Sequence, residues 1–330
     1  MPESLFKYQY EHTSRPQILL IGNGLEYDSG QVSWGNMLKN LTVENALCQY
    51  DEETKERQIP FPLLYQLLVT PDPAPVHKTQ EDRDNEEKRL AENMKTLQNE
   101  TNNNLDQIPG LNMDHVMTTN YSYCLEKAFF RDEDFLNDAI RRGKLQYMQK
   151  KLNDDDVREI EYRLHTYYRA HSDDERETGL WHIHGEAAVP RGIVLSHDRY
   201  GRLLKRIIDA CGDSSRYSGN MTADTVRELS WPELFLYGDV YILGLGLDSN
   251  ELDLWWLLRR KQREAHSQGR TVFYEREPAF GFTENKHLLM RSCGVELCSA
   301  GCNKDVAFPD FYRCAFRDIA QRVREARGQL

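Results

Sequence analysis

Three polar segments each follow an apolar run of the kind that forms buried strands. The segments are Gly22-Asn23-Gly24, Thr118-Thr119-Asn120-Tyr121 and His182-Ile183-His184-Gly185. In an open parallel sheet, ligands bind in the crevice at the carboxyl ends of the strands. If the three runs are strands of one sheet, their ends therefore form a single site, and the residue types suit a nucleotide.

Asn120 and His184 are the candidate catalytic residues. A carboxamide is both donor and acceptor, so Asn120 can hold a water and a ribose hydroxyl together. A histidine at a strand end beside a glycine, as His184 is beside Gly185, can abstract or relay a proton near neutral pH. Each residue also has a purely structural interpretation. Asn120 could end a strand in an Asx turn, and His184 could be a satisfied core histidine.

His182 and His184 also allow a metal site. Residues two apart in a strand project to the same face, so the pair could bind a metal, but no third ligand is evident. The seven cysteines include no Cys-x-x-Cys pair. We therefore expect reduced thiols and neither structural zinc nor a catalytic metal.

Two glycine-spaced loops are candidates for dinucleotide binding. In Gly22-Asn23-Gly24, the lack of side chains lets backbone N–H groups approach a pyrophosphate. Position 27 is Tyr27, where the dehydrogenase fingerprint has its third glycine, and this argues against a hydride-transfer enzyme. The second loop contains Gly244 and Gly246 and leads to Asp248.

Asp248 has two interpretations. Together with Glu251 it fits a helix capping box in its Asp form, which needs no function. It would also suit a ribose hydroxyl. The apolar stretch that follows, from Leu252 to Leu258, is predicted to be a core helix.

Composition excludes several classes of function. The chain has 330 residues and a net charge of −11, which argues against binding to nucleic-acid backbones. We expect a small nucleotide and no direct contact with nucleic acid. No apolar run has the length of a signal peptide or the roughly 20 residues of a membrane span, so we expect a soluble, cytoplasmic protein.

Strand-like and helix-like segments alternate along the chain. Strands are predicted at 17–21, 115–119, 180–184, 192–195, 239–243, 271–275 and 294–297, and helices at 198–210, 250–266, 283–291 and 308–326. This alternation predicts an α/β fold with a parallel sheet flanked by helices.

Two charged stretches interrupt the alternation. Residues 36–110 and 125–178 are predicted to be helical insertions that form a smaller module within a single domain spanning 1–330. Residues 80–100 place Leu90, Met94 and Leu97 at helical spacing. A solvated helix with a narrow apolar edge is the favoured interpretation, and a partner-binding helix is the alternative.

Taken in order, these motifs resemble the sirtuin superfamily, specifically the bacterial sirtuin-like proteins associated with antiphage defence. GNGLEYDSG at 22–30 resembles the sirtuin GAGxSxxxG loop, and TTNY at 118–121 resembles TQNID. HG at 184–185 matches the catalytic His-Gly, and GLGL at 244–247 resembles the late GTSL loop. The resemblance extends from Ile18 to about Glu275.

The resemblance implies a Rossmann-like NAD site beside a helical small module. Gly22, Asn23 and Gly24 would meet the pyrophosphate, Gly244 and Gly246 would lie near the adenosine, and Asn120 and His184 would flank the nicotinamide ribose. Leu25, Thr118, Thr119, Tyr121 and Asp248 complete the predicted NAD-binding set.

Departures from the sirtuin pattern narrow the implied activity. Glu26 stands at the Ser of GAGxS, Ser122 stands at the Asp of TQNID, and the four-cysteine zinc ribbon is absent from the sequence. These differences argue against a lysine deacylase. The resemblance instead implies an NAD glycohydrolase that depletes NAD during phage infection and is controlled by homo-oligomerisation or by a companion defence protein. A non-catalytic sensor of NAD or ADP-ribose and a metal-dependent hydrolase are the alternatives.

Overall fold

The fold is described from a computed structural model. It covers residues 15–27, 34–51, 59–97, 103–130, 147–148, 162–171, 176–212, 226–248, 250–264 and 269–328. Residues 28–30 of the first glycine loop lie outside this set, as do parts of both predicted insertions. The predictions for the first glycine loop and the two insertions are therefore compared with the structure only at the described residues.

The described residues form an eight-stranded sheet with the order β3-β4-β5-β2-β1-β6-β7-β8. The strands are β1 Gln17–Ile21, β2 His115–Thr118, β3 Tyr147–Met148, β4 Tyr167–His171, β5 Glu177–His182, β6 Asp239–Leu243, β7 Thr271–Tyr274 and β8 Glu296–Cys298. Pairing is parallel except at β3–β4 and β4–β5, which are antiparallel. The predicted α/β, Rossmann-like sheet flanked by helices is confirmed.

The helices lie between and after the strands. They are α1 Gly24–Tyr27, α2 Trp34–Leu41, α3 Phe61–Val69, α4 Gln80–Leu97, α5 Cys124–Phe129, α6 His197–Ala210, α7 Trp231–Tyr237, α8 Leu252–Arg263, α9 Asn285–Ser292 and α10 Phe308–Ala326. None of these described helices is long and apolar enough to cross a membrane.

Strand β1 lies at the centre of the sheet and is buried along its whole length. It pairs with β2 on one side and β6 on the other, and Ile21 lies opposite both Thr118 and Leu243. Thr118 in turn lies opposite His182 of β5. Because four strands end at the same level, the loops that follow them meet at one edge of the sheet.

The core is divided between the two faces of the sheet. Leu19 and Ile21 belong to the cluster that includes buried residues of α3, α4 and α10. Ile18 and Leu20 belong to the cluster that includes α6, α7 and α8. Side chains that alternate along β1 therefore contact different helical layers, as expected for a strand covered on both faces.

The two predicted insertions differ in their secondary structure. Helices α3 and α4 and most of α2 lie within 36–110, and Leu90 and Met94 form the buried edge of α4. The stretch 125–178 is not helical throughout, because β3 and β4 lie within it. A smaller module built from the two stretches remains a prediction.

Two local predictions were wrong. The predicted strand at 192–195 does not form, because the chain passes through a 3₁₀ turn at Pro190–Gly192 and residues 193–195 continue without ladder bonds. Asp248 is not a helix cap, since α8 begins at Leu252 with Glu251 as its N-cap residue.

Candidate functional site

A cavity of about 400 Å³ opens at the edge of the sheet where β1, β2, β5 and β6 end. The loops after these strands contribute Asn23, Gly24, Thr119, His184, Gly244, Leu245, Gly246, Leu247, Asp248, Asn250 and Glu251. The surrounding elements contribute Phe61, Pro62, Leu195, Tyr200, Phe308 and Tyr312. The volume lies within the range of about 300–1,000 Å³ that is usual for small-molecule sites.

Seven of the twelve predicted site residues line this cavity. They are Asn23, Gly24, Thr119, His184, Gly244, Gly246 and Asp248. The other five, Gly22, Leu25, Thr118, Asn120 and Tyr121, lie behind the lining. The four predicted segments therefore converge on one edge, and the roles assigned to their individual residues remain predictions.

Gly22 holds the loop after β1 against the loop after β6. Its N–H donates to the Leu243 carbonyl at 3.1 Å, and the Gly24 N–H donates to the Gly244 carbonyl at 2.8 Å. A Cβ on Gly22 would lie 2.6 Å from the Gly244 carbonyl oxygen, which is too close for any other residue. In this arrangement both amides bond to the protein backbone, so the two glycines keep the loops in contact.

His184 is buried and hydrogen-bonded to a distant carboxylate. Its Nε2 lies 2.8 Å from Oδ2 of Asp253, which belongs to α8. Its ring makes a T-shaped contact with Tyr200 at a centroid distance of 5.4 Å. Burial alone would lower the pKa of His184, but the Asp253 carboxylate raises this pKa above its ordinary value. His184 is therefore an oriented imidazole with increased basicity at a cavity wall.

Gly185 explains how His184 leaves the strand. The backbone of Gly185 has φ +96°, in the region that only glycine adopts readily, and a Cβ there would lie 2.2 Å from the Gly192 carbonyl oxygen. The His184 carbonyl then accepts from the Val194 N–H at 2.8 Å. His184 therefore lies beyond β5, which ends at His182.

Asn120 is buried beside the cavity, and its carboxamide contacts a carboxylate. Its Nδ2 donates to Oε1 of Glu26 at 2.7 Å, and the Ser122 hydroxyl donates to the other oxygen of Glu26 at the same distance. Glu26 is thus the buried acceptor for two residues of the TTNYS segment. Among the described residues, none donates a hydrogen bond to Oδ1 of Asn120.

His182 belongs to a different network. Its Nε2 lies 2.9 Å from Oε1 of Glu126, and its Nδ1 lies 2.9 Å from the Asn120 carbonyl oxygen. Burial opposes the charge on this ring, but Glu126 raises the pKa of His182 above its ordinary value. Because acceptors face both ring nitrogens, the ring favours its doubly protonated form. His182 therefore fixes the backbone of Asn120.

The two histidines do not form a shared metal site in this arrangement, because they contact different carboxylates. Across the described parts of the chain, no group of three or more His, Cys, Asp or Glu side chains is placed to hold a metal ion. The seven cysteines are all free thiols.

Asp253 and Glu251 were not predicted as functional residues. Both belong to the start of α8, where acidic side chains stand in an apolar sequence, ELDLWWLL, and that contrast is the signal that could have identified them. One oxygen of each carboxyl, Oδ1 of Asp253 and Oε2 of Glu251, is buried without a hydrogen-bond partner. Burial raises the pKa of Glu251 to about 8, and the neighbouring Asp253 and Asp248 also raise it.

Aromatic residues from distant parts of the chain complete the wall. Phe308 and Tyr312 of α10 stack on each other, with centroids 5.9 Å apart. The Tyr312 hydroxyl donates to the Gly24 carbonyl at 2.8 Å, which attaches α10 to the first glycine loop. Phe61 of α3 also lines the cavity, so aromatic side chains of both α3 and α10 contribute to its wall.

Comparison with known proteins identifies the family. A SIR2-like domain model matches residues 114–298, which is more than half of the chain. The match extends from the start of β2 to the end of β8 and includes Thr119, His184, Glu251 and Asp253. No curated protein matches the chain. A SIR2-like domain implies NAD binding and an NAD-related function. The chain therefore belongs to the SIR2-like family.

Proposed function

We propose that this protein is an NAD glycohydrolase, which cleaves the bond between nicotinamide and ribose and leaves ADP-ribose. The observation that carries the proposal is His184, an imidazole oriented by Asp253 at the wall of a cavity within a SIR2-like domain. The cavity lies at the switch point of the sheet, where β1 contacts β2 on one side and β6 on the other.

The reaction requires little acid catalysis, because the pyridinium nitrogen is already a good leaving group. The bond from ribose C1′ to nitrogen breaks, and its electron pair remains on nicotinamide. A water oxygen bonds to C1′ and transfers a proton to His184. The site must therefore stabilise an oxocarbenium-like centre and deliver one water. Asp253 keeps the imidazole in position and stabilises its protonated form.

Asn120 is the second proposed participant. Its Nδ2 already donates to Glu26, so its Oδ1 is the atom that would accept from a ribose hydroxyl or from water. Glu26 and the contact from His182 fix the carboxamide and the backbone of Asn120 respectively. These contacts give Oδ1 of Asn120 a defined orientation beside the cavity.

A binding-only function is the second candidate. One observation favours it: Asn120 lies behind the cavity lining, and its carboxamide contacts Glu26. A sensor of NAD or ADP-ribose would need the cavity and the glycine loops but no proton transfer by His184.

The biological role proposed from the resemblance is antiphage defence by depletion of NAD. A continuously active NADase would kill its own cell, so we propose control by homo-oligomerisation or by a companion protein. Helix α4 supports such a contact, because its long charged face is largely exposed and only a narrow edge is buried. In cells, the wild-type chain with its trigger should lower NAD and arrest growth, whereas Asn120→Ala should be harmless at equal expression.

The deciding experiment incubates the purified chain with NAD and quantifies nicotinamide and ADP-ribose. We expect equal amounts of both products from the wild type and a large loss with His184→Ala or Asn120→Ala. Circular dichroism and thermal melting of each variant establish that it is folded. NAD binding without nicotinamide release would favour the sensor, and full activity of both variants would refute the site.

A further inference from the structure

Glu251 is a carboxyl group in the cavity that the proposed reaction does not use. It is the N-cap residue of α8 and lines the cavity together with His184. Two residues later, Asp253 holds His184. The start of α8 therefore supplies one carboxylate that is bound to the histidine and a second carboxyl that faces the same space.

One observation points to a ligand for Glu251, and a second concerns its charge. Its Oε2 atom is buried without a hydrogen-bond partner, which is costly unless a ligand supplies one. Among the described residues, the cavity lining also contains no lysine or arginine, while Asp248 and Glu251 are both acidic. An ionised Glu251 would therefore add to the negative charge that faces an anionic dinucleotide, and His184 is the one basic side chain in the described lining.

The groups around Glu251 determine its charge. His184 faces it from the end of β5, Asp248 and Asp253 face it from the loop and helix that carry it, and Tyr121 and Tyr200 lie close enough for their pKa values to respond to it. Burial raises the pKa of Glu251 most, the two aspartates raise it further, and His184 opposes them. With a pKa of about 8, the carboxyl is mostly neutral at pH 7.

We infer that Glu251 binds the nucleotide as a neutral carboxylic acid that donates a hydrogen bond to a ribose hydroxyl beside His184, and that its ionisation weakens binding. The inference rests on the proposed function only in that the ligand is an ADP-ribose compound. Glu251 is thus a binding residue that makes nucleotide affinity depend on pH above neutrality.

The experiment measures ADP-ribose binding by calorimetry between pH 6.5 and 9.5, because ADP-ribose is not consumed. If only the neutral carboxyl binds, wild-type affinity falls about tenfold from pH 7 to pH 9. Glu251→Gln keeps a neutral donor, so it should bind like the wild type at pH 7 and lose little affinity at pH 9. Glu251→Ala should bind weakly at both pH values.

A matched control and an independent measurement sharpen the result. Glu228→Gln makes the same change at an exposed position before α7 and should keep the wild-type pH dependence. Infrared difference spectra of the unliganded protein at pH 7 should contain a protonated-carboxyl band that is absent from Glu251→Gln.

Three results would overturn the inference. They are a wild-type affinity that is flat from pH 7 to pH 9, a Glu251→Gln variant as weak as Glu251→Ala at pH 7, and a wild type that binds no ADP-ribose. The last result would also overturn the proposed site. By contrast, pH-dependent binding lost in Glu251→Gln, without nicotinamide release, would refute only the glycohydrolase proposal and would support the role of Glu251.

Discussion

His182 and His184 lie two residues apart, and each is paired with a buried carboxylate, but their surroundings differ. Acceptors contact both ring nitrogens of His182, and Tyr123 and Tyr168 make T-shaped contacts with its ring at centroid distances of 5.6 and 6.1 Å. His184 has one carboxylate partner and lines an open cavity. Among the described residues, no hydrogen bond uses its Nδ1. The same pairing therefore stabilises the core at one position and leaves a proton acceptor at the other.

Matched substitutions of the two histidines should separate these roles. Glutamine can still donate to the carboxylate, so we expect His184→Gln and His182→Gln to lose similar stability, about 1–3 kcal/mol each. Nicotinamide release should fall by about 10² to 10⁴ in His184→Gln, because a positioned base is removed, and far less in His182→Gln. Denaturant unfolding and initial rates measure both effects. Equal losses of activity would contradict the contrast between the two sites.

The carboxylate partners offer the second test, through the pH dependence of the rate. Asp253 raises the pKa of His184, and a protonated His184 cannot accept a proton, so wild-type activity should rise as pH rises through this raised pKa. Asp253→Asn should lower that pKa and move the acidic limb of the pH profile to lower pH, while the maximal rate falls because the imidazole loses the partner that orients it.

Glu126→Gln is the control for that experiment, because it changes the partner of His182 instead. Its acidic limb should stay where the wild-type limb is. If the acidic limb of the pH profile moved in Glu126→Gln and not in Asp253→Asn, His182 rather than His184 would be the proton acceptor.

Two glycines differ in the same way, because Gly22 is packed against backbone atoms and Gly246 lines the cavity. In Gly22→Ala the new methyl group would meet the Gly244 carbonyl oxygen at 2.6 Å, and we expect a loss of about 1–3 kcal/mol in the free energy of unfolding. In Gly246→Ala the nearest atom is Oδ1 of Asp248 at 3.8 Å, so stability should change by less than about 0.5 kcal/mol. Chemical denaturation compares the two, and similar losses would show that the two loops are not packed as described.

The smallest effect is expected from metal removal. A metal shared by His182 and His184 would give the two histidines the same role. In the structure they contact different carboxylates, Glu126 and Asp253 respectively. Activity should therefore be unchanged after dialysis against a chelator, and elemental analysis should find less than one zinc per chain. A bound metal whose removal stops the reaction would make the His-x-His alternative the better explanation.

The central strands could be predicted because strands buried on both faces appear as continuous apolar runs, as in β1 and β6. Strand β4 could not, because its sequence, YYRAH, includes a half-buried arginine and an exposed histidine and does not form such a run. A strand near the sheet edge has a weaker hydrophobic pattern than a central strand. The charged residues around β4 in the sequence also resemble those of a solvated helix.

The site could be predicted only to the level of strand ends. Parallel strands bring their carboxyl ends together, which places Thr119 and His184 at one edge without any knowledge of contacts. Their partners follow from packing instead. Asp253 is 69 residues from His184, and Glu26 is 94 residues from Asn120. No local spacing in the sequence identifies such pairs. The one local pattern that included Glu251, its spacing from Asp248, was interpreted as a helix capping box.

The contact between Tyr312 and Gly24 has a consequence for how the protein is made. Asn23 and Gly24 leave the ribosome early, whereas Phe308 and Tyr312 emerge nearly three hundred residues later, and domains fold as synthesis proceeds at about 5–20 residues per second. A nascent chain that has emerged only through β8 therefore has its glycine loops and His184 but lacks one wall of the cavity. If the chain is the NAD glycohydrolase proposed above, this order of synthesis withholds the finished site until α10 has emerged.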